Sequence, residues 1–433
     1  MTGSSTDDLT ENDSASSGPS AGPLAGYVVV DLTRALAGPH ASMMLGDLGA
    51  RVVKVETPGS GDDTRGWGPP FVDPGPGEDG VPRPPESTYF LSCNRNKESI
   101  ALDLKSDDGR EVLTRLVERS DVLMENFRPG VLDRLGFDVA RLHEINPRLV
   151  ILSISGFGHD GPEASRPGYD QIGQGEAGIM SLTGSGPDDP QRVGVPIGDL
   201  LAGMYGAYGV LAALLERTRT GRGQVVRTSL LAALVGVHAF QGTRYTVAGE
   251  VGRAAGNHHP AVAPYGLFRC RDGAVQLAIG SQGLWRSLCA GFGLDPGTPG
   301  MASNADRVVN RETVVKTLES LFEDWEAGPL LERLAELGIP AGRVRTLDEV
   351  YAWEQTLSQG LLIDVEHPSL GQLKLPGPPV RFFGGGNDGL VEVTRRAHTA
   401  PPTLDEHGSS VRAWLGLDQR PDAPPQVPVT ADR

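Results

Sequence analysis

The sequence has few cysteines and no apolar run long enough to cross a membrane. Its three cysteines, Cys93, Cys270 and Cys289, form no C-x-x-C pair in 433 residues, so neither a disulfide framework nor a thiolate zinc site is expected. The longest uncharged apolar stretch, Leu200 to Leu215, has 16 residues, and a bilayer needs roughly 20. We therefore expect a cytoplasmic protein that does not contact a membrane, with this stretch as a buried helix.

Positive charge and the common nucleotide motifs are also scarce. Lysine and arginine total 39 against 55 acidic residues, a net charge of −16, so no nucleic-acid partner is expected. The turn after the first predicted strand has one glycine, Gly38, where a dinucleotide site needs three. The pair His258-His259 has no acid or cysteine at ligand spacing, so no metal is expected.

Short apolar runs alternate with helical patterns through the first third of the chain. A strand at Tyr27–Leu32, a helix at Pro39–Leu48 and a strand at Ala50–Glu56 form a βαβ unit. The same pattern then repeats, with strands predicted at Ser99–Leu104, Asp121–Phe127 and Leu149–Ser155 and a helix at Ser106–Ser120. The sequence predicts an α/β fold with a Rossmann-like parallel sheet.

Composition and turn signals predict the domain organisation. The chain is too long for one ordinary domain, and Asp272-Gly273 predicts a hairpin in a second, smaller one. Seven prolines and four glycines in residues 68–86 predict a long surface loop. The predicted segments are a disordered tail (1–22), a large Rossmann-like domain (23–250), a small α/β domain (251–355), a return to the large domain (356–416) and a loose C-terminal tail (417–433).

Asp199 is the leading candidate for a reactive residue, because Gly198-Asp199 directly precedes the long apolar helix. From the residues alone, a helix N-cap is the favoured interpretation. The two roles are compatible, because the positive end of the helix dipole favours an ionised carboxylate. We also expect the small Gly198 to leave room for an electrophile. An ionised carboxylate is a nucleophile that needs no base.

Eight segments from Leu24 to about Leu415 together carry a family resemblance. They read PLAGYVVVDLTRALAGP, MMLGDLGARVVKVE, NRNKESIALDLK, ENFRPGVLDRLGF, NPRLVILSISGFG, RPGYD, PIGDLLAGMYG and TGRGQVV. In these segments the chain resembles the class III CoA transferases, which also include α-methylacyl-CoA racemases and carnitine-CoA transferases. The resemblance implies an acyl-CoA enzyme whose monomer is an open ring and whose two copies form an interlocked homodimer.

The resemblance also implies one catalytic residue, Asp199, and a set of CoA contacts. No permanently bound cofactor is implied, because CoA and acyl-CoA are substrates. Some family members carry an arginine at the position of Thr57, and here Arg51 or Lys54 is the alternative cation. The implied contacts are Leu36 and Ala37 after the first strand, Leu102, Asp103, Leu104 and Lys105 near adenine and ribose, Asn126, Phe127, Arg128 and Arg134 near phosphate and pantetheine, and Arg166 and Tyr169 in a further strip.

Residue 169 separates two activities within that family. The racemase branch has a Gly-His-Asp motif, whereas this chain has Gly168-Tyr169-Asp170, and tyrosine is a poor proton-transfer group near neutral pH. The loop Gly252–Tyr265 is similar to those of members that use succinyl-CoA or other dicarboxylates.

These features predict a CoA transferase that moves CoA from an acyl-CoA donor, such as succinyl-CoA or another dicarboxylyl-CoA, to a carboxylic acid. The resemblance implies that transfer passes through an aspartyl anhydride and an aspartyl-CoA thioester. An acyl-CoA racemase or isomerase and a non-catalytic CoA-binding scaffold are the alternatives.

The long helix also bears on quaternary structure. Gly203, Gly206 and Gly209 follow one another every three residues, which predicts a slanting stripe where another backbone comes close. From the residues alone a contact within the domain is favoured, and with the family resemblance a contact between two subunits is favoured. A helix that is apolar nearly all round must lie in a core or an interface.

Overall fold

The computed structural model describes residues 21–76, 83–386 and 389–417. The chain divides into two units: unit 1 comprises Met1–Gly173, Pro196–Leu234 and Gly360–Arg433, and unit 2 comprises Gln174–Val195 and Val235–Gln359. The predicted tails, 1–22 and 417–433, lie almost wholly outside the described residues, as does part of the predicted loop 68–86.

Fifteen strands are present in the described part of the chain. In chain order they are β1 Val28–Asp31, β2 Arg51–Glu56, β3 Phe71–Val72, β4 Glu86–Ser87, β5 Lys97–Ala101, β6 Val122–Glu125, β7 Val150–Ser155, β8 Val225–Ser229, β9 Tyr265–Cys270, β10 Gly273–Ala278, β11 Ala341–Arg343, β12 Leu362–His367, β13 Gly371–Pro376, β14 Phe383–Gly386 and β15 Gly389–Glu392.

The helices of the described residues include a short 3₁₀ helix, Asp63–Gly66. The α-helices are α1 Ala37–Asp47, α2 Thr88–Ser92, α3 Asp107–Arg119, α4 Val131–Arg134, α5 Val139–Ile145, α6 Asp170–Glu176, α7 Ile179–Leu182, α8 Ile197–Thr220, α9 Leu230–Gly236, α10 Ala239–Ala248, α11 Gln282–Phe292, α12 Asn304–Val309, α13 Arg311–Phe322, α14 Ala327–Glu336, α15 Leu347–Ala352, α16 Glu354–Ser358 and α17 Gly408–Trp414.

Unit 1 is built around a six-stranded parallel sheet, so the predicted α/β fold with a parallel sheet is confirmed. The strand order is β5-β2-β1-β6-β7-β8, and the order reverses between β1 and β6, where open α/β sheets bind their ligands at the carboxyl ends of the strands. Alternate residues of β1 face opposite sides: Val29 belongs to the core that includes α1 and α8, and Val30 to the core that includes α3.

Unit 2 has its own core around the antiparallel sheet β11-β10-β9. The predicted hairpin at Asp272-Gly273 is confirmed, with Gly273 paired to Cys270. This unit also takes residues 174–195, which the sequence analysis assigned to the large domain. Backbone hydrogen bonds explain the placement, because Ala254 N donates to Ser181 O at 2.9 Å and Gly256 N donates to Gly184 O at 3.0 Å. Such contacts between distant segments leave no local signal.

Helix α8 differs from its prediction in both length and packing. It has 24 residues and is long and apolar enough to cross a membrane by length and composition, yet one side of it is buried in unit 1. A Cβ atom added at Gly203, Gly206 or Gly209 would lie 2.5 Å from Ala37 O, 2.9 Å from Leu152 Cδ2 or 2.5 Å from Val226 Cγ1. The three glycines therefore pack against α1 and the sheet of the same unit. The expectation that they form a contact between subunits is wrong.

Candidate functional site

Asp199 is the third residue of α8, and its side chain does not cap the helix. No side-chain cap is made at the N-cap position, Pro196. Instead Asp170, the first residue of α6, accepts hydrogen bonds at Oδ1 from Gly198 N at 2.7 Å and Asp199 N at 3.4 Å. The interpretation of Asp199 as a cap is therefore wrong: the side chain of Asp170 satisfies these amides, and the carboxylate of Asp199 is left available for chemistry.

Gly198 makes space for this arrangement. A Cβ atom at residue 198 would lie 3.0 Å from Leu234 Cδ1 and 3.1 Å from Asp170 Oδ1. The space beside the glycine is thus filled by the capping carboxylate and a leucine. The approach of an electrophile past Gly198 stays a prediction.

Two features raise the pKa of Asp199 to about 7: burial first, and then the negative charge of Asp170. The expectation that the helix dipole sets the balance in favour of the ionised form is therefore wrong. Burial penalises the charged form of a carboxyl group, and a like charge nearby adds to that penalty. When it is ionised, a carboxylate with this pKa is more basic than that of an ordinary aspartate. Groups with shifted pKa values are common at catalytic sites.

Tyr89 lies close enough to Asp199 for their charges to interact. Burial raises the pKa of Tyr89 to about 12, and the carboxylate of Asp199 is the next largest cause. The ring of Tyr89 packs edge-on against Trp67, with centroids 5.1 Å apart. It also packs with Leu200 against the buried cluster Leu36, Met43 and Cys93. No motif in the sequence marked Tyr89.

A cavity of about 510 Å³ opens at the carboxyl ends of β1, β2, β5 and β6. Five of the predicted CoA contacts line it: Leu102, Asp103, Leu104, Lys105 and Phe127. Its wall also includes Thr57, Pro58 and Arg34, whose guanidinium lies 5.5 Å from the centroid of the Phe127 ring. This cavity combines cations with apolar walls at the position where open α/β sheets bind ligands.

The turns after β1 and β6 are locked together beside this cavity. Asn126 accepts a hydrogen bond from Arg34 N at 2.9 Å and donates one to Arg34 O at 2.7 Å. Ala35, a non-glycine residue with φ of 66°, donates its N–H to Asp62 at 3.2 Å. Asp62 also pairs with the buried Lys54 at 2.8 Å. These contacts hold a left-handed backbone conformation that alanine rarely adopts.

Known proteins share both the sequence and the fold of this chain. The CoA-transferase family III model matches residues 24–408. The chain belongs to CoA-transferase family III. It is similar to human succinyl-CoA:glutarate CoA-transferase, with 37% identity over 92% of this chain and 87% of the relative, and to succinate–glutarate CoA-transferase of Agrobacterium fabrum, with 36% identity over 93% and 98%. A crystal structure of a CAIB/BAIF family protein from Brucella suis matches with a TM-score of 0.77 and 39% identity, over 91% of this chain and 100% of that one.

The predicted acyl-CoA:carboxylate CoA-transferase activity is thus shown for this chain. In this family III CoA-transferase, the remaining predicted contacts lie in several places. Leu36 and Ala37 are buried at the start of α1. Arg128 faces a second, smaller cavity, and Arg134 is exposed at the end of α4. Tyr169 is exposed and precedes the capping residue Asp170.

Arg166 and the two alternative cations already have partners. Arg166 lies over the ring of Phe157 at 4.7 Å. Arg51 forms two hydrogen bonds with Glu98 at the opposite end of β2 from Thr57, and Lys54 is buried against Asp62. Arg51 therefore does not replace the missing arginine, whereas Lys54 lines the cavity beside Thr57 with its ammonium paired to Asp62, and its role stays a prediction. Arg34 and Lys105 are exposed cations in the wall of this cavity.

Proposed function

We propose that this CoA-transferase moves CoA from succinyl-CoA or another dicarboxylyl-CoA to a second dicarboxylic acid, with Asp199 as the covalent nucleophile. The observation that carries the proposal is the Asp199 carboxyl group at the start of α8. It does not cap the helix, and its pKa is raised to about 7. The substrate class is supported by the names of relatives that match nearly the whole chain. The 510 Å³ cavity, with Arg34 and Lys105 in its wall, supports binding of CoA in unit 1.

Each half of the reaction exchanges one bond for another at an acyl carbon. The Asp199 carboxylate attacks the thioester carbonyl of the donor, the C–S bond breaks, and a mixed anhydride and CoA thiolate form. The thiolate then attacks the aspartyl carbonyl, which releases the donor acid and leaves an Asp199–CoA thioester. The acceptor carboxylate attacks that thioester to give a second anhydride, and the thiolate collects the new acyl group and regenerates Asp199.

This sequence of steps uses only the aspartate and the two substrates, so we propose that no permanently bound cofactor takes part. The cytoplasmic location and the roles of Gly252–Tyr265 and of each CoA contact also stay predictions.

A panel of acceptors tests the proposed function. Succinyl-CoA is incubated with the enzyme and glutarate, oxalate, mesaconate or the monocarboxylic acids of matching length, and each thioester is followed by mass spectrometry. We expect the dicarboxylates to react at least about tenfold faster than the monocarboxylates, a difference of roughly 1.4 kcal/mol in the barrier. Preference for monocarboxylates would contradict the substrate class. Deuterium uptake at the α-carbon without CoA transfer would indicate a racemase. The absence of both reactions would indicate a scaffold.

The raised pKa of Asp199 predicts a specific pH dependence. Because only the carboxylate attacks the thioester, kcat/KM for the donor should rise with pH through about 7 and level off above about 8. Asp170→Asn removes the neighbouring charge but keeps an oxygen that can cap α8, so it should lower the pKa of Asp199 and move the profile to lower pH. The exposed Asp364→Asn is the control and should leave the profile in place. A profile that stays in place in Asp170→Asn would contradict the assigned cause of the shift.

We also propose a homodimer, interlocked as the family resemblance implies. The face of α8 opposite its glycines is exposed and apolar, with Met204, Tyr205, Tyr208, Leu211 and Leu215 along one stripe. A large exposed apolar patch is typical of an interaction surface. We expect light scattering to give twice 45.8 kDa, and the dimer to persist on dilution to nanomolar concentration. A monomer at micromolar concentration, or rapid exchange between tagged and untagged subunits, would contradict the interlocked arrangement.

A further inference from the structure

A chain of hydrogen bonds crosses the carboxyl edge of β6 and β7, among residues to which the sequence analysis gave no role. Glu125 is the last residue of β6 and lies beside Ser153 of β7 in the parallel register. The hydroxyl of Ser153 donates a hydrogen bond to Glu125 Oε1. His159, in the segment after β7, places Nε2 2.7 Å from the same hydroxyl. Glu125 and Ser153 are both buried.

The chemistry of the hydroxyl gives this chain a direction. A serine hydroxyl carries one proton, so when it donates to Glu125 it accepts from His159, whose Nε2 then carries the hydrogen. The other oxygen of the carboxylate, Glu125 Oε2, accepts a hydrogen bond from Phe127 N at 2.9 Å. The donors on both sides therefore point toward Glu125, which links Ser153 and His159 to the backbone of the turn that follows β6.

That turn, Asn126 to Arg128, carries proposed CoA contacts. Asn126 joins it to the turn after β1 through both backbone groups of Arg34. The side chain of Phe127 lines the 510 Å³ cavity. The hydrogen bond from Phe127 N to Glu125 thus fixes the backbone at the residue whose ring forms part of the cavity wall.

Packing alone does not hold the other side of the turn. A second cavity of about 190 Å³ lies there, lined by Glu125, Ser153, His159, Arg128 and Arg227 among others. Open volume supplies no van der Waals contacts to the atoms that border it. On this side of the turn, the hydrogen bond from Phe127 N to Glu125 is therefore a main restraint on the backbone.

We infer that Glu125 is a positioning residue for CoA binding, and that Ser153 and His159 hold its carboxylate in place. The inference rests on the proposed function, because it assumes that the turn Asn126 to Arg128 contacts CoA. Burial raises the pKa of Glu125, against the hydrogen bonds from Ser153 and Phe127 N. Burial of an ionised carboxyl group at this position lowers the stability of the fold. The group also accepts a hydrogen bond from the backbone of the turn that carries the proposed CoA contacts.

The test compares Glu125→Ala with Glu125→Gln in the full-length enzyme. Glu125→Ala removes both acceptors, so KM for succinyl-CoA and the Kd for CoA, measured by calorimetry, should rise about tenfold while kcat changes little. Glu125→Gln should restore most of the affinity, because its amide oxygen can accept from Phe127 N and its NH₂ group can donate to Ser153 Oγ. Ser153→Ala removes one hydrogen bond to the carboxylate but keeps the acceptor for Phe127 N, so it should raise KM by a smaller factor, roughly threefold. A general loss of structure would instead lower kcat and the melting temperature together.

Phe127→Ala separates failure of this inference from failure of the proposed function. If Phe127→Ala weakens CoA binding while a folded Glu125→Ala binds CoA as the wild type does, the positioning role is wrong and the CoA site stands. If the wild type neither binds CoA nor transfers it, the proposed function itself fails. If Glu125→Ala does not fold, Ser153→Ala and His159→Gln decide, and wild-type KM in both would overturn the inference.

Discussion

Asp199→Asn is expected to reduce the rate of CoA transfer by roughly 10⁴-fold or more, as removal of a covalent nucleophile does. The amide cannot form the anhydride with the donor, whereas it closely matches the carboxylate in shape. The fold should persist, because Asp170 and not Asp199 caps the first amides of α8. Asp199→Ala should behave in the same way. The measurement is the rate of thioester exchange between succinyl-CoA and the best acceptor found in the panel.

The same substitution has a stability readout that activity does not share. A carboxyl group whose pKa is raised by folding destabilises the folded protein when it is ionised, so the penalty grows as pH rises from about 4 to about 7. Asp199→Asn should therefore melt above the wild type at pH 8, and the difference should vanish near pH 4. Asp364→Asn is again the surface control. Near wild-type transfer in Asp199→Asn would contradict the mechanism, and equal melting at pH 8 would contradict the raised pKa.

Asp31→Ala is expected to produce the largest loss of stability. Asp31 is fully buried at the end of β1, where its Oδ2 lies 3.1 Å from the ammonium of the equally buried Lys97. It also accepts hydrogen bonds from Thr33 and Ser42. Burial alone would raise the pKa of Asp31, but Lys97 and Lys54 hold it well below its usual value.

Removing Asp31 leaves the buried ammonium of Lys97 without its counter-ion, which typically costs about 3–5 kcal/mol. We expect the melting temperature in scanning calorimetry to fall by roughly 10 °C. Glu144→Ala is a matched control, because it breaks an exposed pair with Arg141 on α5, and such pairs contribute little. If both variants melted at the same temperature, the buried pair would have no role in stability.

The sequence predicted well the features whose causes lie within a few residues. Ser106 was expected to begin a helix, and its hydroxyl accepts a hydrogen bond from Gly109 N at 3.0 Å. The predicted turn at Asp272-Gly273 joins two paired strands. Short, continuous apolar runs between helical patterns identified strands of the parallel sheet, because strands buried on both faces are apolar throughout.

The errors arose where distant residues meet. Asp170 caps a helix that begins 27 residues later in the chain, so no local pattern could separate a capping aspartate from a reactive one. The small residues of α8 were recognised, but spacing alone cannot tell which neighbour fills the space beside them. The apolar sequence from Ser229 to about Val247 predicts one helix, whereas the chain forms two, α9 and α10, and Ala239, the first residue of α10, has a positive φ of 46°. The pairing of Lys54 with Asp62 was not predicted, because Asp62 lies outside the strand that carries Lys54.

The most direct test of the central claim is to trap the acyl intermediate on Asp199. The enzyme is incubated with succinyl-CoA in the absence of an acceptor, quenched with hydroxylamine, digested, and analysed by peptide mass spectrometry. The account predicts an aspartyl hydroxamate at Asp199, formed only when the donor is present and absent in Asp199→Asn. Full transfer activity with Asp199 unmodified, or a hydroxamate on another carboxylate such as Asp170, would contradict it.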